Sequence, residues 1–317
     1  MTKPRPVLIV TQPDDVTADI VVTELNRRGV PLLRFDTADF PHALSLSAKI
    51  DGDGLRGIMT TASRQVELGA VRSLYYRRPR GFTLPGLDEQ DARFAALQAR
   101  YGLGGVLASL PDCLYVNHPH AIADAEFKPA QLAVAADVGF TIPPTLITNN
   151  LDQAWTFAAE HGPIIYKPLR GSPYREGGVA RTIWVTEVEP AELDESVEAT
   201  AHLFQSRVPA VGHLRVAAIG DHVFCVRIDS GDLLDWRQNY DALTYTATDP
   251  PPGMTEPIAA YLNRFGLVFG AFDLVLRPDG EAVFLECNPN GQWAWLEDET
   301  GLPMTSALAD LLERGTA

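Results

Sequence analysis

Lysine is scarce in this chain: Lys3, Lys49, Lys128 and Lys167 are the only four, and arginine carries the rest of the positive charge. The formal net charge is -15. A general nucleic-acid binder is thereby excluded, because neutralising phosphates takes a clustered basic surface. Cysteine is also sparse. Cys113, Cys225 and Cys287 are widely spaced and odd in number, which fits neither a disulfide framework nor a zinc motif. All three read as reduced, and Cys225 and Cys287, in apolar strand-like runs, read as buried thiols. No uncharged apolar run is long enough to span a bilayer, and the start lacks the basic, apolar and small-residue parts of a secretory signal. A cytoplasmic protein without a membrane partner is expected. The G-x-x-x-x-G-K pattern is missing, so a Walker-type ATPase is not expected. Gly52-Asp-Gly-Leu-Arg-Gly57 matches G-x-G-x-x-G, but a strand-like Ile-Met-Thr-Thr follows it where a dinucleotide loop needs a helix. It reads as a hairpin turn.

What is present describes a globular α/β chain. Its 317 residues, 46% of them hydrophobic, suffice for two or three domains with cores. An apolar run at 6–10, helical spacing over 16–28 and a second apolar run at 31–35 give a strand, helix, strand opening. Alternating segments between 43 and 78 predict sheet. Helices are expected over 88–110, 121–138, 189–200, 255–265 and 304–312. Strands are expected at 163–168 and 181–185, and hairpins over 212–228 and 270–286. No repeat or low-complexity tract interrupts this order. His118 and His120 stand in a Pro-rich turn without further His or Cys partners, and read as turn residues rather than ligands.

The stretch Phe284-Leu-Glu-Cys-Asn-Pro-Asn-Gly-Gln-Trp293 carries the chemistry. Alternation along a strand turns Glu286 and Asn288 to one side, and Asp273 lies on the preceding strand. Oxygen donors of this kind suit magnesium, which keeps waters and binds substrate phosphates. Asn-Pro-Asn-Gly is also good turn chemistry in its own right. Lys167 ends a strand and precedes a loop containing Gly171 and Ser172 and closing at Gly177-Gly178. Backbone amides of such a loop can lie over phosphates, with the lysine as a point charge.

In chain order these pieces resemble the ATP-grasp superfamily from about Asn117 to Trp293, and the opening domain resembles the pre-ATP-grasp domain. Arg34-Phe-Asp-Thr-Ala-Asp-Phe-Pro41, Tyr76-Arg-Arg-Pro79, Phe127-Lys-Pro-Ala-Gln-Leu132, Asp235-Trp-Arg237 and Glu286-Cys-Asn-Pro-Asn-Gly-Gln-Trp293 are most similar to the microviridin-type, or graspetide, ligases. These mature ribosomal peptides through ω-ester and ω-amide links. The resemblance implies an ATP-grasp fold with an amino-terminal pre-ATP-grasp α/β domain at 1–118, a central subdomain at 119–203 and a carboxy-terminal one at 204–317. It implies ATP on Lys128, Lys167, Gly171, Ser172, Gln205 and Val208, with 205–208 as the adenine hinge. Arg215 would reach the γ phosphate, Asp235 and Arg237 would border the acceptor side, and Asp273, Glu286 and Asn288 would hold Mg2+. The implied partner is a precursor peptide with a leader and an acidic core, and the implied assembly a homodimer. His213 departs from the family pattern, in which an acid tends to precede Leu-Arg.

The chemistry needs such groups independently. A carboxylate must be activated before it can acylate, and an acyl phosphate formed on ATP concentrates charge that magnesium, lysine and arginine stabilise. Arg77, Arg78, Arg80, Arg170, Arg175 and Arg237 lie near the motifs and could pair with acidic side chains. Three other readings stay open: a ligase for small amino acids or a protein C-terminus, a small-molecule kinase, and an ATP-binding module without turnover.

Overall fold

The computed structural model describes residues 5–171, 174–229, 231, 234, 236 and 243–316. The chain opens on a parallel four-stranded sheet in the order Leu32–Phe35, Val7–Val10, Ser73–Tyr76, Leu114–Val116. All four residues of Val7–Val10 are buried, as a parallel strand covered on both faces requires. On one face Leu8, Val10, Leu33 and Phe35 meet Leu103 and Leu107 of the helix Glu89–Leu107. On the other, Val7 and Ile9 meet Val21 and Leu25 of the helix Val16–Arg27 and Leu308, Leu311 and Leu312 of the helix Met304–Arg314. That last helix is tied down: Ser73 Oγ donates to Leu312 O at 2.8 Å, Arg72 donates to Glu313 O, and Arg28 pairs with Asp310 and Glu313.

A three-stranded antiparallel unit, Leu44–Asp51, Gly54–Thr61 and Gln65–Glu67, flanks this sheet. Asp51 faces Gly54 across Gly52 and Asp53, so the glycine run is the hairpin turn expected. Next comes an antiparallel sheet in the order Thr186–Val188, Ile164–Lys167, His202–Ser206, Thr145–Thr148, backed by the helix Leu151–His161. The final sheet is also antiparallel, in the order Thr244–Thr248, His222–Asp229, Gly212–Ile219, Phe269–Leu276, Ala282–Asn288. One of its faces, with Val216, Phe272, Leu274 and Phe284, packs on the helices Lys128–Asp137 and Thr255–Phe265. Part of the other, with Ala217, Ile219, Phe269 and Ala271, packs on the opening domain. The remainder opens into a cleft.

Three segments differ from the sequence reading. The single helix expected over 121–138 is two, Pro119–Ala125 and Lys128–Asp137. Pro129 is tolerated in a first turn but not in a helix interior, so the second helix starts afresh at Lys128. The acidic segment 189–200 forms two short 3-10 turns, Pro190–Glu192 and Glu195–Ala199. There the Glu192 carboxylate accepts from its own Glu189 N, and that of Asp194 from Ser196 N, both at 2.9 Å, local bonds that compete with a continuous helix. Residues 181–185 are not one strand. Tyr174–Glu176 and Val179–Arg181 pair across Gly177 and Gly178, whose φ angles of 57° and 84° suit a tight hairpin, and Thr186–Val188 follows. Among the described residues no helix is long and apolar enough to cross a membrane.

Cys225 and Cys287 are buried, and Cys113 is half-buried. Burial pushes Cys113 and Cys225 up to about 12 and raises Cys287 well above the ordinary thiol value. A thiol reagent at mildly alkaline pH is therefore expected to leave the native chain essentially unlabelled and to label all three in denaturant, because the thiolate is the reactive form.

Candidate nucleotide and metal site

The register of the final sheet assembles the site. Arg215 lies opposite Asp273, and Asp273 opposite Glu286, which aligns a cation and two carboxylates in one cross-strand row. The pairing shifts after Asp273: Leu274 faces Phe284, and Leu285 is the extra residue. This bulge turns both Leu285 and Glu286 toward a cleft of about 530 Å³. The central sheet supplies Lys167 and Gln205 on the other side, Val208 follows its strand His202–Ser206, and His213 and Trp236 complete part of the wall.

Charges in the cleft are matched. Arg215 Nη1 lies 2.8 Å from Asp273 Oδ2, and Lys128 Nζ pairs with Glu286 Oε2. Starting the helix at Lys128 is what brings that lysine to the end of the Glu286 strand. Among the buried atoms without a hydrogen-bond partner are Asp273 Oδ1, Arg215 Nε and Gln205 Oε1, while Gln205 Nε2 donates to Thr145 Oγ1 at 2.9 Å. An unpartnered buried carboxylate oxygen beside a second carboxylate suits a hard cation. Among the described residues no group of three or more His, Cys, Asp or Glu could hold a metal ion.

Of the residues singled out in the sequence, Lys128, Lys167, Gln205, Val208, Arg215, Asp273 and Glu286 meet at this cleft. Asn288 ends the same strand, but its Oδ1 accepts from Asn290 N at 2.9 Å. Gly171 is exposed, in the loop after Lys167. Ser172, Asp235 and Arg237 lie outside the described residues. His118 caps the helix Pro119–Ala125 rather than standing in a turn, with Nδ1 accepting from His120 N at 3.2 Å and the ring bonded to Ala108 O at 3.0 Å.

The arginine group divides. Arg80 pairs with Asp36, Arg170 with Glu126, and Arg175 donates to Gly178 O. Arg77 is buried against Asp15, their side chains 0% and 1% exposed, and so is closed to an acidic peptide. Arg78 is exposed and has no ion pair among the described residues. Burial alone would raise the Asp15 carboxyl, but hydrogen bonds and charge from Arg77, with bonds from Thr11 and the Ala18 amide, hold it below the usual 3.8. The stability from this pair is complete above that value and is lost as the pH falls through the depressed one. Urea midpoints measured down to about pH 3 are expected to decline in the acid range, and Asp15→Asn to flatten that limb.

Gly291 is placed for close approach. A Cβ there would stand 2.4 Å from Ala271 Cβ and 2.8 Å from Arg215 Nη2. Gly291→Ala is expected to displace the Arg215 guanidinium and lower kcat by about 10²-fold, as small misplacements of reacting groups do; steady-state ADP release measures it.

The amino-terminal residues 6–123 match a family model described as the MvdD pre-ATP grasp domain. The RiPP-associated ATP-grasp ligase of Chryseobacterium gregarium, solved with ADP and a leader and core peptide, superposes with a TM-score of 0.90 at 26% identity, over 97% of this chain and 96% of that one. The macrocyclase MdnC of Microcystis aeruginosa, bound with precursor peptide MdnA, gives 0.86 at 30% identity, over 96% and 98%. The chain belongs to the RiPP ATP-grasp ligases. A 70-residue stretch of this ATP-grasp ligase is also 40% identical to glutathione synthetase of Rhodopseudomonas palustris, and spans only 20% of that relative's length. Sequence reasoning about the ligase missed the roles of Asn117 and of the bulge at Leu285, and offered Arg77 to acidic side chains where the structure seals it against Asp15. The Tyr76-Arg-Arg-Pro79 motif was the one available signal for Arg77.

Proposed function

We propose that the chain activates Asp or Glu side chains of a ribosomal precursor peptide as acyl phosphates and joins them to Thr or Ser hydroxyls, or Lys amines, of the same peptide. What carries this reading is the cleft between the two antiparallel sheets, with Lys167, Asp273 and Glu286 on its wall, in a chain alike over nearly its whole length to peptide macrocyclases. In the first step a carboxylate oxygen bonds to the γ phosphorus of ATP and the bond to ADP breaks. In the second, the hydroxyl or amine bonds to the acyl carbon, phosphate leaves and the nucleophile's proton is released. Each link thus removes one water from the peptide and forms one ADP and one phosphate. Both ends belong to one substrate, so the second step is intramolecular, and effective molarities of such reactions reach about 10⁵ M or more.

Lys128, Lys167 and Arg215 neutralise phosphate charge, and residues 205–208 read adenine. Asp273, Glu286 and Asn288 hold magnesium, which supplies charge stabilisation at the transferred phosphoryl oxygens. The exposed hairpin Tyr174–Glu176 with Val179–Arg181 covers the phosphates, with Gly171 and Ser172 at its root, and keeps water from the acyl phosphate. Asp235 and Arg237 border the acceptor. Arg78 meets acidic side chains of the peptide: Arg78→Ala is expected to raise the peptide KM about ten-fold with kcat unchanged, in ADP-release kinetics. Domain boundaries at 118 and 203, a cytoplasmic location and a homodimer belong to the same proposal. The dimer is supported by Phe94, Leu97 and Tyr101, an exposed apolar stripe on the helix Glu89–Leu107 of a kind that marks interaction surfaces.

The test is incubation with ATP, magnesium and the precursor peptide encoded beside the gene. ATP-dependent loss of one or more waters, read by mass spectrometry, supports the proposal. ADP release without mass loss, or with a phosphorylated product, overturns it in favour of a small-molecule ligase or kinase.

A further inference from the structure

The loop after the Glu286 strand is gripped carbonyl by carbonyl. Pro289 O accepts from Asn117 Nδ2 at 2.8 Å; Asn290 O and Gly291 O accept from Arg77 Nη1 at 3.1 and 3.0 Å; Gln292 O accepts from Arg215 Nη2 at 3.2 Å. Four successive backbone acceptors are therefore met by side chains, three of them by residues of the opening parallel-sheet region. Neither donor there is itself loose. The other Arg77 nitrogens grip both Asp15 oxygens at 3.2 and 3.3 Å, and Asp15 Oδ2 accepts from Thr11 Oγ1 at 2.6 Å. Asn117 makes four bonds: Nδ2 also donates to Phe269 O at 2.8 Å, and Oδ1 accepts from Val268 N and Phe269 N at 2.8 and 3.0 Å.

We propose that Arg77 and Asn117 are positioning residues, by which the opening domain sets the loop at 289–292 and, through it, where Asn288 and Arg215 stand in the site. Neither lines the cleft. Their effect passes through the main chain on one side to Asn288, two residues before Asn290, and on the other to Gln292, the second acceptor of Arg215. This rests on the reading of Asp273, Glu286 and Asn288 as the magnesium ligands. Held by Arg77 alone, the loop could pivot about the single atom Nη1; the Asn117 bond at Pro289 removes that pivot.

The decisive variant is Arg77→Lys, which keeps a cation opposite Asp15 but loses the Nη1 group that reaches two carbonyls. The magnesium concentration for half-maximal ADP release is expected to rise about ten-fold, in line with other losses of ligand-supporting contacts, with the peptide KM within about two-fold of wild type. Calorimetric affinity for magnesium with a non-hydrolysable ATP analogue should fall by a similar factor. Amide exchange at 288–293 should quicken while the parallel sheet keeps its protection. Asn117→Ser, which loses the Pro289 contact, should shift the same readings in the same direction. An unchanged magnesium requirement with unchanged loop exchange overturns the proposal. So does the melting of both variants below assay temperature, which would make the clamp a fold element only. Failure of the metal reading is separable: it shows as an unaltered magnesium requirement in Glu286→Gln, whereas loop exchange in Arg77→Lys is read without metal.

Discussion

Glu286→Gln is expected to lower ADP release by about 10³-fold while the thermal midpoint stays near wild type. The substitution preserves shape and removes one charge. Electrostatic groups aimed at developing charge typically account for factors of this size, and a metal ligand carries that charge directly. Stability should change little, because the lost pair with Lys128 is partly open to solvent, the Glu286 side chain being 19% exposed, and pairs in such settings are worth about 1 kcal/mol or less. Activity within a few-fold of wild type would sink the assignment of Glu286 to the metal.

Asp273→Ala should fail in both respects. Its side chain is 12% exposed and that of Arg215 9%, so the variant leaves a buried guanidinium without its carboxylate. Breaking such a pair costs about 3–5 kcal/mol. Arg215 keeps the Gln292 carbonyl as an acceptor, which places the expected loss near about 3 kcal/mol. Denaturant midpoints would measure it, and turnover should vanish. A chain as stable as wild type would show that the pair contributes nothing to the fold. The contrast between the two carboxylates, opposite one another in register, is thus one of burial.

Elements with a local cause were legible in the sequence. The helix Thr255–Phe265 shows its apolar spacing and its stop at Gly266, with φ of 66°. The hairpin at Gly220 and the strand ending in Glu-x-Asn were equally readable, as were Lys167 at a strand end and Asp273 on the neighbouring strand. Features with a distant cause were not. Arg77 and Arg78 are identical letters in one motif, yet one is sealed against Asp15, 62 residues away, and the other faces solvent. Nothing near Asn117 announces that its partners are at 268, 269 and 289. The bulge at Leu285 is invisible without its partner strand, although it decides which way Glu286 faces. The break before Lys128 was readable from Pro129, but the helical spacing on both sides obscured it.

The helix Met304–Arg314 packs its Leu308, Leu311 and Leu312 beneath Val7 and Ile9. During synthesis the parallel sheet must therefore wait until the far later helix Met304–Arg314 has been made before its apolar underside is sealed. Until then it is a natural client for a chaperone.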